Sequence, residues 1–126
     1  MFLTIIWEAS RRRSSTNTKE CEMRKRTADE DIMRRTREEA WVGDAVLGLF
    51  AREWILRTTG KMDAEMFARL TSNHFLASMG NPTEMEAAIG RHYTKHGLAS
   101  AFEKMEKELL PLFRKQELNR VRKQRK

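Results

Sequence analysis

Cysteine, proline, glycine and long apolar runs are all scarce in this sequence. The single cysteine, Cys21, excludes an internal disulfide framework and fits a reducing compartment. Two prolines and six glycines are too few turn-forming residues for a sandwich or barrel of many short strands. No window approaches the roughly 18 apolar residues that a membrane span needs. We therefore expect no membrane partner.

The length and apolar content predict one small all-α domain. The chain has 126 residues, of which 40% are hydrophobic, and this suffices for a small core. Capping signals divide it into four helical pieces, with the first ended by Gly60, the second opened by Asp63 and the third ended by Gly97. The predicted helices are approximately 29–59, with a break near Thr36 or Gly43, then 64–80, 83–97 and 100–113.

Two T/S-x-x-E patterns predict capping boxes, in which a hydroxyl and a carboxylate satisfy each other's backbone amides. One joins Thr83 to Glu86, and the other joins Ser100 to Glu103. Pro111 predicts a kink in the last helix, which is expected to fray into the basic end of the chain.

Charge is distributed unevenly and predicts three regions. Residues 1–28 carry a net charge of +4, residues 29–113 carry −3, and residues 114–126 carry +6. We expect a mobile basic extension, a helical domain and a basic tail, in that order, with the basic ends contacting a polyanion. The alternative is that these ends only keep the protein soluble.

The first residues of the chain do not have the order of a secretory signal. The apolar stretch 1–7 precedes the basic run of Arg11, Arg12 and Arg13 instead of following a basic region. It is interpreted as a docking segment, a mitochondrial-type presequence or an upstream extension. The predicted location is cytoplasmic, or organellar if residues 1–28 target the chain.

One helix contains a stripe of small residues interrupted by a carboxylate. Ala40, Asp44, Gly48 and Ala51 recur at helical spacing within an apolar run. An ionised aspartate in such surroundings costs several kcal/mol unless a cation, a hydrogen bond or solvent compensates it. Asp44 is therefore either a metal ligand or, alternatively, a local cap or an exposed residue.

Glu86 raises the same question from a second helix. Alone it is the acidic member of the predicted capping box. Together, Asp44 and Glu86 supply two oxygen ligands, which suits Mg²⁺ because this ion usually takes one or two carboxylates and keeps several waters.

Histidine and aromatic residues also have structural explanations. His92 and His96 are spaced i, i+4, as in some zinc sites, but no third ligand is evident and a solvated pair is favoured. Four aromatic residues are spaced for a core or a dimer interface, with base stacking as the lesser alternative. They are Trp41, Phe50, Trp54 and Phe75.

Three motifs, in the right order, resemble the ribonuclease III family. The run AWVGDAVL from Ala40 to Leu47 is similar to the family's signature helix, LTSNHFLA from Leu70 to Ala77 to its L-x-S-N-x-x-L-A helix, and EAAIG from Glu86 to Gly90 to its E-A-x-x-G motif. The resemblance covers residues 37 to about 110. It implies a helical endonuclease domain that dimerises through the signature helix, with Asp44 and Glu86 as catalytic metal ligands.

The departures from the family matter equally. Full-length members place four carboxylates around the metals, and the corresponding positions here are Ala40, Asp44, Thr83 and Glu86, so two are lost. The short branch called Mini-ribonuclease III shows a similar reduction and lacks a double-stranded-RNA-binding domain. We expect the same here, since the residues after 113 are too few to fold as one. The connection from Met79 to Pro82 is shorter than the family's usual one, which often contacts RNA.

The resemblance therefore predicts a homodimeric endoribonuclease that cleaves double-stranded RNA with Mg²⁺, or with Mn²⁺. The alternatives are a catalytically inactive RNA-binding or ribosome-associated protein of the same fold, and a helical module that binds another protein. Retention of both Asp44 and Glu86 favours the enzyme, whereas the absence of carboxylates at Ala40 and Thr83 favours the inactive protein.

Overall fold

The computed structural model describes residues 18–125, and over this range all regular structure is α-helical, which confirms the all-α prediction. The described helices are α1 (Thr18–Thr59), α2 (Ala64–Leu70), α3 (Asn73–Ala77), α4 (Pro82–His96), α5 (Leu98–Glu108) and α6 (Leu110–Gln124). The apolar stretch 1–7 and the arginine run 11–13 lie outside the described residues. Within the described range, no helix combines the length and apolarity that a bilayer span requires.

The described residues divide between residues 33 and 34 into two units, 18–33 and 34–125. The described part of the first unit, residues 18–33, is helical and its side chains from Arg24 onward are exposed. Residues 18–28 therefore form helix where the sequence predicts a mobile linker. The second unit contains all three motifs.

Several helix ends follow the predicted capping residues. Gly60 and Gly97 end α1 and α4 with φ of +79° and +89°, which glycine adopts without steric cost. The Asp63 side chain accepts a hydrogen bond from the amide of Met66 at 2.9 Å, as a helix N-cap does. These punctuation residues explain why α1, α2 and α4 begin or end where the sequence predicts.

Other helix boundaries differ from the prediction. Helix α1 runs without a break through Thr36 and Gly43. The predicted second helix is split, because the Ser72 hydroxyl accepts from the amide of Phe75 at 3.0 Å and starts α3. Leu109 separates α5 from α6, with Pro111 in the first turn of α6, where proline's missing amide hydrogen costs little.

Both predicted capping boxes are wrong. Asn81 caps α4 by accepting from the amide of Glu84 at 3.1 Å, so Glu86 lies beyond the cap and has no capping role. Helix α5 begins after Gly97 with no side-chain cap, which places Ser100 inside the helix. Helix α4 starts at the Asn81-Pro82 pair, ahead of Thr83. Helix α5 starts directly after Gly97, ahead of Ser100.

The core of the second unit is formed where α1 meets the later helices. Phe113 of α6 makes edge-to-face contacts with Trp54 of α1 and Phe75 of α3, with ring centroids 5.9 and 5.4 Å apart. Phe50 and Phe102 pack similarly at 5.4 Å. Each buried aromatic ring contributes about 1.5–3 kcal/mol through apolar burial, so these contacts fix α1 against α3, α5 and α6.

The segment predicted as a basic tail is largely helical and is tied to the core. Helix α6 continues to Gln124 instead of fraying at residue 113. The Arg69 guanidinium on α2 donates to both carboxylate oxygens of Glu117, with Nη2–Oε1 at 2.8 Å and Nε–Oε2 at 3.0 Å. This bidentate pair raises the pKa of Arg69, chiefly through the hydrogen bond to Glu117. The acidic residue of the basic segment therefore anchors it.

Candidate metal-binding site

Helices α1 and α4 cross with their backbones in contact at two glycines. A Cβ atom on Gly43 would overlap the carbonyl of Glu86 and lie 2.9 Å from the amide nitrogen of Gly90. A Cβ atom on Gly90 would overlap the carbonyl of Glu39 and lie 3.0 Å from the amide nitrogen of Gly43. No residue larger than glycine fits at either position without separating the helices.

The crossing is reciprocal because both helices present the same short pattern. Residues 39–43 and residues 86–90 each read E-A-x-x-G. Within each pattern the carbonyl of the glutamate meets the glycine of the other helix. The alanines, Ala40 and Ala87, are buried, with 7% and 0% of their surface exposed. Small residues at these positions allow the close approach, as at other tight helix pairs.

The residue after each glycine interacts electrostatically with the glutamate of the opposite helix, with opposite consequences. Arg91 follows Gly90 and donates from Nη1 to Oε2 of Glu39 at 2.7 Å. Asp44 follows Gly43, and its negative charge acts on Glu86. One side of the crossing therefore carries an ion pair and the other carries two like charges.

Glu86 lies in an environment that disfavours its ionised form. The pKa of Glu86 is raised above 4.5, first because the half-buried carboxyl loses solvent and second because Asp44 repels its charge. Among the described residues no ion pair involves either carboxylate. Asp44 itself is exposed to solvent, which is compatible both with a metal ligand and with the alternative of a solvated residue.

The carboxylate pair fits a hard divalent cation. Mg²⁺ accepts one or two carboxylates together with several waters, and a pair of uncompensated like charges is relieved by such an ion. The described residues contain no cluster of three or more His, Cys, Asp or Glu side chains that would enclose a metal. A cation at this site would therefore be held by two protein oxygens and remain largely hydrated.

Next to Asp44 the surface is apolar. A groove of about 500 Å³ is lined by Trp41, Val42, Asp44, Ala45, Val46, Leu49, Tyr93 and Leu98. Trp41 is 79% exposed. The other three aromatic residues that the sequence predicts for a core or a dimer interface are all buried, namely Phe50, Trp54 and Phe75. An exposed tryptophan in an apolar groove is typical of a surface that another molecule covers.

The remaining predicted site positions have structural roles. Ala40 lies buried in the helix crossing and Thr83 is exposed in the first turn of α4. The L-x-S-N-x-x-L-A motif forms the corner between α2 and α3, in which Leu70 and Leu76 are fully buried and Ser72 is a cap. The rings of His92 and His96 are in contact, tilted by 48° with centroids 4.7 Å apart, and His92 Nε2 lies 2.9 Å from the Ser100 hydroxyl oxygen.

Sequence reasoning missed the partnership of Glu39 with Arg91. A signal for it was present, since the E-A-x-x-G pattern occurs twice and a pair of small-residue motifs predicts a close helix crossing. The residue after each glycine then indicates the charge that the glutamate of the other helix meets. A basic residue, Arg91, attracts Glu39, and an acidic residue, Asp44, repels Glu86.

Searches of protein-family models, curated proteins and solved structures give no match to this chain. The resemblance to the ribonuclease III family therefore rests on the three sequence motifs.

Proposed function

We propose that this protein is a Mg²⁺-dependent endoribonuclease of the ribonuclease III type that cleaves double-stranded RNA as a homodimer. The observation that carries the proposal is the convergence of Asp44 and Glu86 across the Gly43–Gly90 crossing, without a compensating cation among the described residues. The motif resemblance supplies the reaction class. The electrostatic interaction of Asp44 with Glu86 supports one metal ion shared by the two acidic residues.

In this proposal Asp44 and Glu86 would hold Mg²⁺, for which Mn²⁺ could substitute. Such an ion would lower the pKa of a coordinated water and stabilise the charge that develops on the scissile phosphate. Asp44 is exposed and therefore accessible to a polyanionic substrate. Glu86 is half-buried and lies on α4, the helix that crosses α1 at this point. Phosphodiester hydrolysis at such a site is the function that the geometry supports best.

The apolar groove supplies the dimer interface of the proposal, with a second copy of the chain as its occupant. Trp41 and Leu49 are exposed on α1, and Tyr93 and Leu98 line the same groove from α4 and α5. Isologous pairing is the commonest way in which a protein covers such a surface. Asp44 also lines this groove, so pairing would bring two carboxylate sites to one face, each directed at one strand of a duplex.

The second candidate function is an RNA-binding protein that keeps the helical fold without catalysis. It is favoured by the small number of ligands, since Asp44 and Glu86 are joined by no third metal-binding side chain in the described part of the chain. The basic segments support this candidate equally, because they provide phosphate contacts in either case.

Cleavage of a long RNA duplex by the purified full-length protein tests the proposal. We expect internal cleavage with Mg²⁺ or Mn²⁺, none with a chelator, and little with single-stranded RNA of the same sequence. Binding of the duplex with no cleavage under either metal would replace the enzyme with the RNA-binding protein.

A further inference from the structure

A second cavity, lined mainly by charged and polar residues, lies on the side of the helix crossing where Glu39 pairs with Arg91. It has a volume of about 510 Å³ and is lined by Glu39, Ala88, Arg91, His92, Thr94, Lys95, His96 and Lys104. Asp44 and Glu86 do not line it. The cavity therefore belongs to neither the candidate metal site nor the apolar groove.

The charges that line this cavity are unbalanced. Arg91, Lys95 and Lys104 face a single carboxylate, Glu39, and that carboxylate already pairs with Arg91 Nη1. The ammonium groups of Lys95 and Lys104 form no ion pair within the described part of the chain. The lining thus has an excess of cationic donors for which the described residues provide no acceptor.

The arrangement of these donors suits an oxyanion with several oxygens. Glu39 fixes the guanidinium of Arg91 through Nη1, and none of the hydrogen bonds among the described residues uses its Nε or Nη2. The His92 ring lies within hydrogen-bond distance of the Ser100 hydroxyl, and the tilted His96 ring contacts it, so two imidazoles lie beside the cations. A planar guanidinium beside mobile ammonium groups is the donor set that phosphate oxygens accept from most readily.

We propose that this cavity is a phosphate-binding site, formed by Arg91, Lys95 and Lys104 and bordered by His92 and His96. The site is independent of the carboxylate pair and of RNA cleavage. Its ligand is a phosphate group, carried either on a nucleic-acid backbone or on a small molecule.

The three histidines of this chain provide the test and its internal control. Inorganic phosphate is titrated against chloride at constant pH and ionic strength while the imidazole Hε1 resonances of the isotopically labelled protein are followed. We expect the His92 and His96 resonances to shift and saturate, whereas the His74 resonance, from an exposed residue on α3, stays in place. Absence of a shift, or parallel movement of all three resonances, would overturn the proposal.

Lysine variants link the shifts to the cavity. We expect Lys95→Ala and Lys104→Ala each to weaken phosphate binding about threefold, the size typical of one exposed charge interaction. Lys61→Ala removes an exposed lysine from the connection between α1 and α2 and should leave phosphate binding unchanged. Phosphate binding by the Lys95 and Lys104 variants that equals binding by the parent would contradict the site.

A short RNA duplex, added in metal-free buffer, distinguishes the two sources of the phosphate group. Displacement of inorganic phosphate from the His92 and His96 resonances by the duplex identifies a nucleic-acid backbone as the ligand. Retention of inorganic phosphate at saturating duplex identifies a small phosphate compound. Either outcome supports a phosphate site, and neither depends on catalysis.

Discussion

The backbone of Gly43 packs directly against the carbonyl group of Glu86, so that the two helices touch where Asp44 and Glu86 carry their charges. This contact decides which side chains meet. It joins two residues that are 43 positions apart in the sequence. It also brings the acidic residue of α4, Glu86, to the part of α1 that carries Asp44.

Enlarging either glycine should separate the helices. We expect Gly43→Ala and Gly90→Ala each to lower the free energy of unfolding by about 1–3 kcal/mol or more, because the new methyl group overlaps a backbone carbonyl. Urea unfolding followed by circular dichroism measures the change.

Gly48→Ala is the matched control for this prediction. Its Cβ atom would meet the end of the flexible Arg52 side chain at 3.1 Å and the Phe67 ring at an ordinary contact distance of 4.0 Å. Alanine also gains up to about 1 kcal/mol of helix propensity. If the Gly43 and Gly90 variants are as stable as the Gly48 variant, the close crossing does not exist in solution.

The carboxylates should be required for cleavage. Asp44→Asn and Glu86→Gln each replace an anionic ligand with a neutral amide, and we expect each to lower the cleavage rate of duplex RNA by at least ~100-fold. The double variant should lose little more, since both residues act through one ion. Binding of the duplex should persist.

Glu84→Gln is the control for the carboxylate variants. Glu84 is exposed in the first turn of α4, and we expect its variant to cleave like the parent. Cleavage at the parental rate by both Asp44→Asn and Glu86→Gln would remove the basis for the enzyme.

The pH dependence of stability should reveal the loss of solvent at Glu86 and its repulsion by Asp44. Because its pKa in the folded state is raised above 4.5, the folded protein holds this proton more tightly than the unfolded chain does. The contribution of Glu86 to stability is therefore present below pH 4.5 and lost as the pH rises through the raised pKa. We expect Glu86→Gln to raise Tm at pH 7, and this difference should disappear well below pH 4.5, where Glu86 is protonated in both the folded and the unfolded chain.

The effect of Mg²⁺ on Tm should depend on Glu86 and not on the neighbouring Glu84. Added Mg²⁺ should raise the Tm of the parent at pH 7, because binding to the folded state alone stabilises it, and should have little effect on Glu86→Gln. Glu84→Gln should behave like the parent in both measurements. Equal Tm values for parent and Glu86→Gln at every pH would show that neither burial nor Asp44 disfavours the ionised form of Glu86.

Dimerisation should depend on the exposed tryptophan. We expect the parent to be a dimer by light scattering at micromolar concentration and Trp41→Glu to be a folded monomer, since Trp41 is 79% exposed and contributes little to the core. Met62→Glu, at a residue that is 86% exposed outside the groove, should remain dimeric. A monomeric parent would exclude the proposed interface.

The basic end of α6 should contribute to RNA affinity without affecting catalysis. Truncation at residue 113 is a poor test, because it also removes Glu117, which anchors α6 to Arg69. Replacing the exposed Arg122, Lys123 and Arg125 with alanine leaves that anchor intact. We expect lower affinity and a shallower salt dependence, by about 0.9 in slope for each phosphate that the variant no longer neutralises.

Cleavage at saturating RNA should be unchanged in this triple variant, which separates binding from chemistry. Lys61→Ala measures the effect of removing one exposed charge elsewhere. A triple variant with parental affinity and salt slope would mean that these cations contribute only to solubility.

The sequence determined the helical class, the main helix ends and the residues that the proposals use. Few glycines and prolines together with helical periodicity exclude a many-stranded fold, and glycine and Asp-type caps act locally, so Gly60, Asp63 and Gly97 work as predicted. Capping failed where two signals compete over a few residues. Helix α4 is capped by Asn81 and not by Thr83, and helix α5 begins after Gly97 and not at Ser100.

Only the tertiary structure decided what surrounds each charged residue. Glu39 and Glu86 occupy the same position in the same five-residue pattern, yet one is paired with Arg91 and the other is repelled by Asp44. Local sequence cannot distinguish them, because the partner of each lies on the other helix. Electrostatic energy depends on distance and on loss of solvent, and both are set when Gly43 and Gly90 bring the two backbones together.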